Sequence, residues 1–310
     1  MVKHRYALGV ALSLLVGVFY GLATPFSKML VASGVSAVTV VLFRTVFPLF
    51  FWGAVLFFRG GLASFRIERT SLFCFCLLGV FAYVMKATCL VMSYRFLNVQ
   101  FAIMFSYLSP ICTIFINAIM NREKPRVLQV FASLLLIFAL AFASRGFSAA
   151  EGVTVAGLLL ASVSVAGSSL GSAYSSFVVR KRKPDIVQQI FYSHACAAVF
   201  LFAIKSSLGF DDLAVIGRRE IFCLVMVAVT TSVLAIYCFF KAVQFVSSST
   251  LQILSSTELL FTLLFVPLIA GIEPSFRLKL GSGLVFIAIF LATLGGREKY
   301  KIENKKGEKL

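Results

Sequence analysis

The chain has 310 residues, of which 60% are hydrophobic and only 13% are charged, and its mean hydropathy is +0.98. A water-soluble domain carries about 25% charged residues, so these values exclude that class. The formal net charge of +17 is typical of nucleic-acid-binding proteins, but most basic residues lie in short segments between long apolar runs. The composition therefore indicates a membrane protein and argues against a nucleic-acid partner.

Ten apolar runs are long enough to cross a bilayer as helices, because about 20 residues span the hydrocarbon. Their apolar character is continuous rather than alternating, which distinguishes them from the strands of a membrane barrel. In chain order we predict spans at 6–30, 36–58, 71–94, 98–120, 127–144, 153–179, 187–208, 221–243, 250–270 and 280–295. The sequence thus predicts an all-α polytopic membrane protein in contact with the lipid bilayer.

Lysine and arginine are distributed unevenly between the two sides of these spans. With the N-terminus in the cytoplasm, 18 of the 29 basic residues lie in cytoplasmic segments and six lie in the opposite loops. Such an excess orients a membrane protein with its basic loops inside the cell. We therefore expect a protein of the cytoplasmic (inner) membrane with both termini in the cytoplasm. The last segment, 296–310, is predicted to be a basic, disordered tail.

The chain also contains an internal repeat, in which identical residues recur 149 or 150 positions apart. These pairs include Gly17 and Gly167, Gly21 and Gly171, Phe96 and Phe245, Ser106 and Ser255, and Thr113 and Thr262. The two halves, 6–144 and 153–295, have five spans each, and an odd number gives them opposite orientations in the membrane. We predict ten transmembrane helices as two inverted repeats, with the working site between them. The paired glycines are predicted sites of close helix packing.

Two predicted spans carry polar residues at helical spacing, which places each set on one helix face. They are Ser106, Ser109, Thr113 and Asn117 in span 4, and Ser255, Glu258 and Thr262 in span 9. A polar face inside an apolar helix should contact a neighbouring helix or water rather than lipid. Spans 5 and 10 lack such a face, which predicts a peripheral position. Pro110 predicts a kink in span 4 that span 9 does not share.

Cationic residues inside the spans are candidate ligands for an anionic group. Arg44 lies about eight residues into span 2, roughly 12 Å below the surface, and His194 occupies the equivalent position 150 residues later. Arg44 could bind substrate or only tie helices together through backbone carbonyls. Lys86 lies deeper, in span 3, and we expect it to face an aqueous cavity because an unpaired charge in hydrocarbon is costly. The lysines near span ends, in contrast, are expected to extend to the headgroups; they are Lys28, Lys205 and Lys241.

Glu258 is the only acidic residue well inside a predicted span. Three roles are open to it: a proton-coupling site, a ligand for a substrate amine, or the counter-ion of a lysine or arginine. Because cations outnumber acids in the predicted core, we favour a substrate that carries a carboxylate or a phosphate.

Other sequence signals argue against catalysis. All seven cysteines lie within predicted spans, and their number and spacing indicate neither a disulfide framework nor a zinc site. We expect them to behave as small apolar residues. Segment 167–171 fits the G-x-S-x-G pattern of serine hydrolases, but that pattern requires a preceding strand and here it lies in a predicted helix. The sequence predicts no enzyme activity, no metal and no cofactor.

Several motifs resemble the EamA family of the drug/metabolite transporter superfamily. The matching segments are Tyr20 to Lys28, Phe43-Arg44, Leu108-Ser109-Pro110 through Lys124, and Thr257-Glu258-Leu259 through Pro274. The resemblance extends over about 6–295. It implies two inverted five-helix repeats around a central cavity, alternating access, and export or exchange of amino acids and other small metabolites. The chain departs from the family at Tyr20, where tryptophan is common, and at Leu259, where proline is frequent.

We therefore predict a secondary transporter that moves an amino acid or a related carboxylate-bearing solute, with export as the favoured direction. Arg44, Lys86 and His194 are the candidate cationic and titratable ligands, and Glu258 is the candidate ligand for an amine or a proton. Polar contacts to substrate are assigned to Ser106, Ser109, Ser255 and Thr262. The alternatives are uptake or exchange of a phosphorylated or nucleotide-linked metabolite, and a non-transporting membrane scaffold. Proton or counter-substrate coupling and a homodimer are further possibilities.

Overall fold

The computed structural model describes residues 2–93, 95–97, 102, 105–122, 125–143, 154–271 and 276–307, and these residues contain helices and no strands. Seven helices are long and apolar enough to cross a membrane, and three shorter apolar helices complete the ten predicted spans. The all-α polytopic fold with two inverted repeats is therefore confirmed.

Six of the ten spans are continuous helices. They are span 1 (Val2–Ala32), span 2 (Ala37–Gly60), span 5 (Val127–Ala143), span 6 (Val155–Arg182), span 7 (Ile186–Leu208) and span 10 (Phe276–Gly307). Span 10 continues beyond its predicted end, so the prediction of a disordered tail is wrong as far as Gly307. Residues 308–310 and the first residues of predicted span 4 lie outside the described part.

Spans 3 and 8 contain a π-helical segment at the same place in each half. Span 3 runs through Arg69–Gly79, Val80–Thr88 and Cys89–Ser93, and its middle segment is the π-helix. Span 8 runs through Arg218–Ala228, Val229–Ala235 and Ile236–Val243 in the same manner. The two π segments begin 149 residues apart, and such segments often occur at functional sites.

Spans 4 and 9 are interrupted near their middle, also at equivalent positions. In span 4, a turn at Tyr107 and Leu108 precedes the helix Ser109–Met120. In span 9, a turn at residues 256–257 separates Ser248–Ser255 from Glu258–Ala270. The prediction of a kink in span 4 alone is therefore wrong. Pro110 falls in the first turn of a new helix, where a proline costs no hydrogen bond, and so it does not bend a continuous one.

The two halves are interleaved rather than packed as separate bodies. Span 1 packs against spans 8 and 9, and span 6 makes the equivalent contacts with spans 3 and 4. Spans 2 and 7 pack against each other, as do spans 5 and 10. The outer faces of spans 5 and 10 carry exposed phenylalanines, which fits the predicted peripheral position; they include Phe131, Phe138, Phe286 and Phe290.

A disulfide between Cys76 and Cys196 joins spans 3 and 7, with 5.2 Å between the two Cα atoms. The prediction that the cysteines are unpaired apolar residues is wrong for this pair. The helices approach closely because span 3 has a glycine one turn further on: a Cβ at Gly79 would lie 2.3 Å from the carbonyl oxygen of Ser193. The two cysteines are 120 positions apart in the chain. Their proximity is a consequence of the fold, so the sequence alone did not predict the pairing.

We predicted that the side chain of Lys205 extends to the headgroups. In the structure it is buried instead. Its Nζ lies 2.5 Å from Oδ1 of Asp212, in the loop between spans 7 and 8. The other oxygen of Asp212 accepts hydrogen bonds from the backbone N–H of Ser36 and the hydroxyl of Thr39 at the start of span 2. Burial raises the pKa of Asp212, but these hydrogen bonds, led by that from Lys205, outweigh it and hold the pKa well below its ordinary value.

Candidate substrate-binding site

Three ionisable side chains from different spans lie close enough within the bundle for their charges to act on one another. They are Arg44 of span 2, Lys86 of span 3 and Glu258 of span 9, hereafter the charged cluster. The charges of Arg44 and Lys86 both act on Glu258. Among the described residues, however, neither cation lies within 4.0 Å of the carboxylate as an ion pair. The cluster thus holds opposite charges near one another without direct neutralisation.

Glu258 is placed by the interruption of span 9. It is the first residue of the second helix, where the positive end of the helix dipole favours an anionic side chain. The hydroxyl of Tyr107 donates a short hydrogen bond to its Oε1. Its backbone is packed against span 1, because a Cβ at Gly17 would lie 2.9 Å from the amide nitrogen of Glu258 and one at Gly21 would lie 2.9 Å from its carbonyl oxygen. Both glycines are therefore required for this close approach.

Lys86 lies within the π segment of span 3, and its side chain is exposed. Its backbone is covered by span 6: the hydroxyl of Ser164 donates to the Lys86 carbonyl at 2.7 Å, and a Cβ at Gly167 would lie 2.8 Å from the Lys86 amide nitrogen. Gly171 faces the same span, with a Cβ contact of 3.4 Å to Phe81. The Lys86 charge acts on Glu258 of span 9, and we therefore infer that its exposed surface faces the interior rather than lipid.

Arg44 is half-buried, and its Nε has no hydrogen-bond partner among the described residues. Behind it, His194 is fully buried and bonded through both ring nitrogens. Its Nδ1 must donate to the carbonyl of Ile190, at 2.8 Å, because a carbonyl only accepts. In neutral His194, Nε2 therefore accepts from the hydroxyl of Tyr83, at 2.9 Å. The charge of Arg44 acts on His194, its partner in the repeat, but among the described residues only Arg44 of this pair keeps an unused donor.

The predicted hydroxyl ligands have different surroundings. Ser106 and Ser255 are half-buried, and each hydroxyl bonds a carbonyl of its own helix. The hydroxyl of Thr262 lies 3.3 Å from that of Thr24 in span 1. Ser109 is buried, and its carbonyl accepts a hydrogen bond from Ser169. Ser106, Ser255 and Thr262 thus retain partly exposed surface, whereas Ser109 is held in the packing between spans 4 and 6.

Towards the side of the membrane that carries residues 121–122 and 244–247, polar side chains are bonded directly to one another. Thr113 donates to Oε1 of Gln252 at 2.7 Å, and the amide of Gln252 donates to Ser172 at 2.6 Å. One turn further, Asn117 donates to Ser248 at 2.9 Å and accepts a hydrogen bond from it at 3.1 Å. This polar network of five residues connects spans 4, 6 and 9. Its hydrogen bonds tie these three spans together on that side, and we infer that they close the interior there.

Sequence reasoning missed three tyrosines of this region. Tyr83 and Tyr107 form the hydrogen bonds described above, and Tyr20 of span 1 is influenced by the charges of both Arg44 and Glu258. Only Tyr20 carried a signal, since it stands where the EamA motif commonly has tryptophan. Among the described residues, no group of three or more histidine, cysteine, aspartate or glutamate side chains could hold a metal ion.

The inverted repeats, the interrupted spans and the charged interior define a multi-pass membrane protein of the solute-transporter class. A sequence profile of the EamA-like transporter family matches residues 7–145 and again 155–294. The chain belongs to this family, which transports small solutes across membranes.

Comparison with solved structures supports the same architecture. One crystal structure of a protein superposes with a TM-score of 0.74 at 15% sequence identity, and the match covers 96% of this chain and 98% of the other. At this identity the likeness establishes the fold alone. No curated protein matches the chain.

Proposed function

We propose that the protein exports an amino acid or a related carboxylate-bearing solute by alternating access, with the charged cluster as its binding site. The observation that supports this most strongly is the incomplete pairing of the cluster. Arg44 keeps a buried donor without a partner, Lys86 keeps an exposed ammonium, and neither is within ion-pair distance of Glu258. Buried polar groups are normally satisfied, so donors left open beside an accessible interior suit a ligand.

The two cations would bind the carboxylate of the substrate, while Glu258 would bind its amine or a proton. Ser106, Ser255 and Thr262 would supply further hydrogen bonds, and Ser109 and His194 would act from the surrounding packing. Binding at this depth would suit a mechanism in which the interior opens to each side in turn. The direction, the cytoplasmic membrane and the cytoplasmic position of both termini rest on the family resemblance and on the distribution of basic residues.

Transport by purified protein in reconstituted vesicles tests this proposal. Arg44→Ala and Lys86→Ala should each reduce uptake of labelled amino acids at least about 100-fold, because each loses a charged ligand worth about 3 kcal/mol. The yield of folded protein should not change. Lys181→Ala is the matched control, since the ammonium of Lys181 lies over the ring of Phe177, away from the cluster. Full activity of both cluster variants would contradict the anion-binding role.

A second candidate substrate is a phosphorylated or nucleotide-linked metabolite. The excess of one positive charge in the cluster favours it, because a phosphate brings more negative charge than a carboxylate. Exchange of preloaded organic phosphate without any ion gradient would support this alternative. Exchange of amino acids only, under the same conditions, would exclude it.

A further inference from the structure

The hydrogen bond between Tyr107 and Glu258 connects the interruptions of two spans. Tyr107 lies on the turn that precedes the second helix of span 4, and Glu258 begins the second helix of span 9. Among the described residues, this is the only hydrogen bond that the side chain of Glu258 makes. A carboxylate has two oxygens with about four acceptor positions. Most of its acceptor capacity is therefore open towards the interior.

The inverted repeat shows that the fold does not require this bond. At a spacing of 149 residues, Tyr107 corresponds to Ser256 and Glu258 corresponds to Ser109. The symmetry-related place thus has two serines, and among the described residues the hydroxyl of Ser256 bonds only the carbonyl of Gln252 in the preceding helix. The same interrupted helices form with the tyrosine–glutamate bond and without it. The bond is a property of the site rather than of the architecture.

We propose that Glu258 binds the ammonium group of the substrate and that Tyr107 is the positioning residue that makes the site select zwitterionic amino acids over simple carboxylates. This inference rests on the proposed anion site. A substrate carboxylate at Arg44 and Lys86 would place its ammonium towards the open oxygen of Glu258. The carboxylate of a bound zwitterion then faces the positive charges of Arg44 and Lys86, and its ammonium faces the negative charge of Glu258.

Tyr107 has a specific part in this arrangement. By holding Oε1 it keeps the carboxylate from turning towards Lys86, with which it would otherwise form an ion pair that occupies both ligands. Without the hydroxyl, the cluster would neutralise itself and lose selectivity for the amine. A site built to bond a substrate N–H group rejects an analogue that lacks it, because its own polar groups then remain unpaired.

Binding measurements on the purified full chain test the inference. The probes are the common L-amino acids and, for each, the carboxylic acid that carries hydrogen in place of the ammonium group. The wild type should prefer the amino acid by at least about 100-fold. Glu258→Gln should remove most of that preference by weakening amino-acid binding while changing binding of the carboxylic acid less than about threefold. Tyr107→Phe should reduce the preference at least about tenfold, as expected for the loss of one hydrogen bond to a charged carboxylate.

The matched control is Tyr192→Phe, which removes a hydroxyl that donates to the carbonyl of Phe65 at 2.5 Å, outside the cluster; its preference should equal that of the wild type. An equal loss of both ligand classes in Tyr107→Phe and Glu258→Gln would overturn the inference. So would a Glu258→Gln variant that binds normally and loses only proton-driven uptake, because Glu258 would then be a proton site. If wild-type protein binds both classes equally, the inference fails while the anion site stands. If it neither binds nor transports either class, the proposed function itself fails.

Discussion

The interior contains two polar regions that differ in how well their groups are paired. In the polar network, donors and acceptors of Thr113, Asn117 and Gln252 meet across helices at 2.6–3.1 Å. In the charged cluster, within the part of the chain that the structure describes, only Glu258 has a side-chain hydrogen bond, and the Nε of Arg44 has no partner. The difference indicates two tasks. A satisfied network holds helices together, whereas a cluster with open donors and acceptors is prepared for a ligand.

The largest effect should come from fixing the polar network in its observed state. Asn117→Cys combined with Ser248→Cys places two thiols on side chains that now bond each other at 2.9 Å. An oxidised cross-link should abolish transport, because opening that side requires spans 4 and 9 to separate. Reductant should restore it. The parent protein, treated identically, shows any effect on the native Cys76–Cys196 disulfide, and full transport by the cross-linked variant would contradict the closure role.

Substitutions that remove polarity should affect the two regions in opposite ways. Lys86→Met should lower transport about 100-fold without lowering the melting temperature, since no buried partner is lost. Asn117→Leu should lower the free energy of unfolding by about 1–3 kcal/mol, because it removes the bonds of Asn117 with Ser248 and Asn121 and leaves the hydroxyl of Ser248 without its partner. Thermal unfolding and vesicle uptake, measured on the same preparations, separate the two effects. A strongly destabilised Lys86→Met would show that the lysine serves the fold.

The loop between spans 7 and 8 offers a test in a third region, outside the membrane. Asp212→Asn leaves the charge of buried Lys205 unpaired and should cost about 3 kcal/mol. The contribution of Asp212 arises from a lowered folded-state pKa, so it is complete above the unfolded value of about 4 and is lost as the pH falls further. The difference in melting temperature between wild type and variant should accordingly be constant from pH 7 to 5 and decrease below pH 4. A difference that grows in acid would contradict this assignment.

A smaller loss of stability is expected from substitution of the glycine in span 1 that packs against the backbone of Glu258. A Cβ at Gly17 would lie 1.9 Å from Oγ1 of Thr257 and 2.9 Å from the amide nitrogen of Glu258, so Gly17→Ala should cost about 1–3 kcal/mol. Gly171→Ala is its matched control, because its nearest contact is an ordinary 3.4 Å. Unfolding of the purified variants measures both. If Gly17→Ala were as stable as Gly171→Ala, spans 1 and 9 could separate locally without a loss of folding free energy.

The sequence predicted the fold through features that are local or periodic. Apolar runs gave the spans, and the recurrence of Gly17 and Gly21 as Gly167 and Gly171 gave the inverted repeat. The interruption of span 9 was not predicted, because Thr257-Glu258 lacks the proline that marks span 4. The tolerance of a helix for such a break depends on packing against span 1 rather than on the residues of the break.

The site was predicted in part, for a related reason. Charge within an apolar span identifies Arg44, Lys86 and Glu258 without a structure. A charged side chain inside the membrane has an unfavourable free energy, so such residues usually have a function. Lys205 carried the same signal, but its partner Asp212 lies in a loop, and only the fold shows the pair. Tyr107 carried no signal, because a tyrosine in an apolar span is ordinary until its hydroxyl is seen to meet a carboxylate.

The most direct test of the account is one-sided chemical labelling of the two regions. An impermeant thiol reagent is applied to vesicles from the side that carries residues 33–36 and 209–217, and the parent protein gives the background from its native cysteines. We predict that Lys86→Cys reacts from this side and Ser248→Cys does not, because the network lies beyond the cluster. Equal reaction of Ser248→Cys from this side, or no reaction of Lys86→Cys, would contradict the distinction between an open binding site and a closed network.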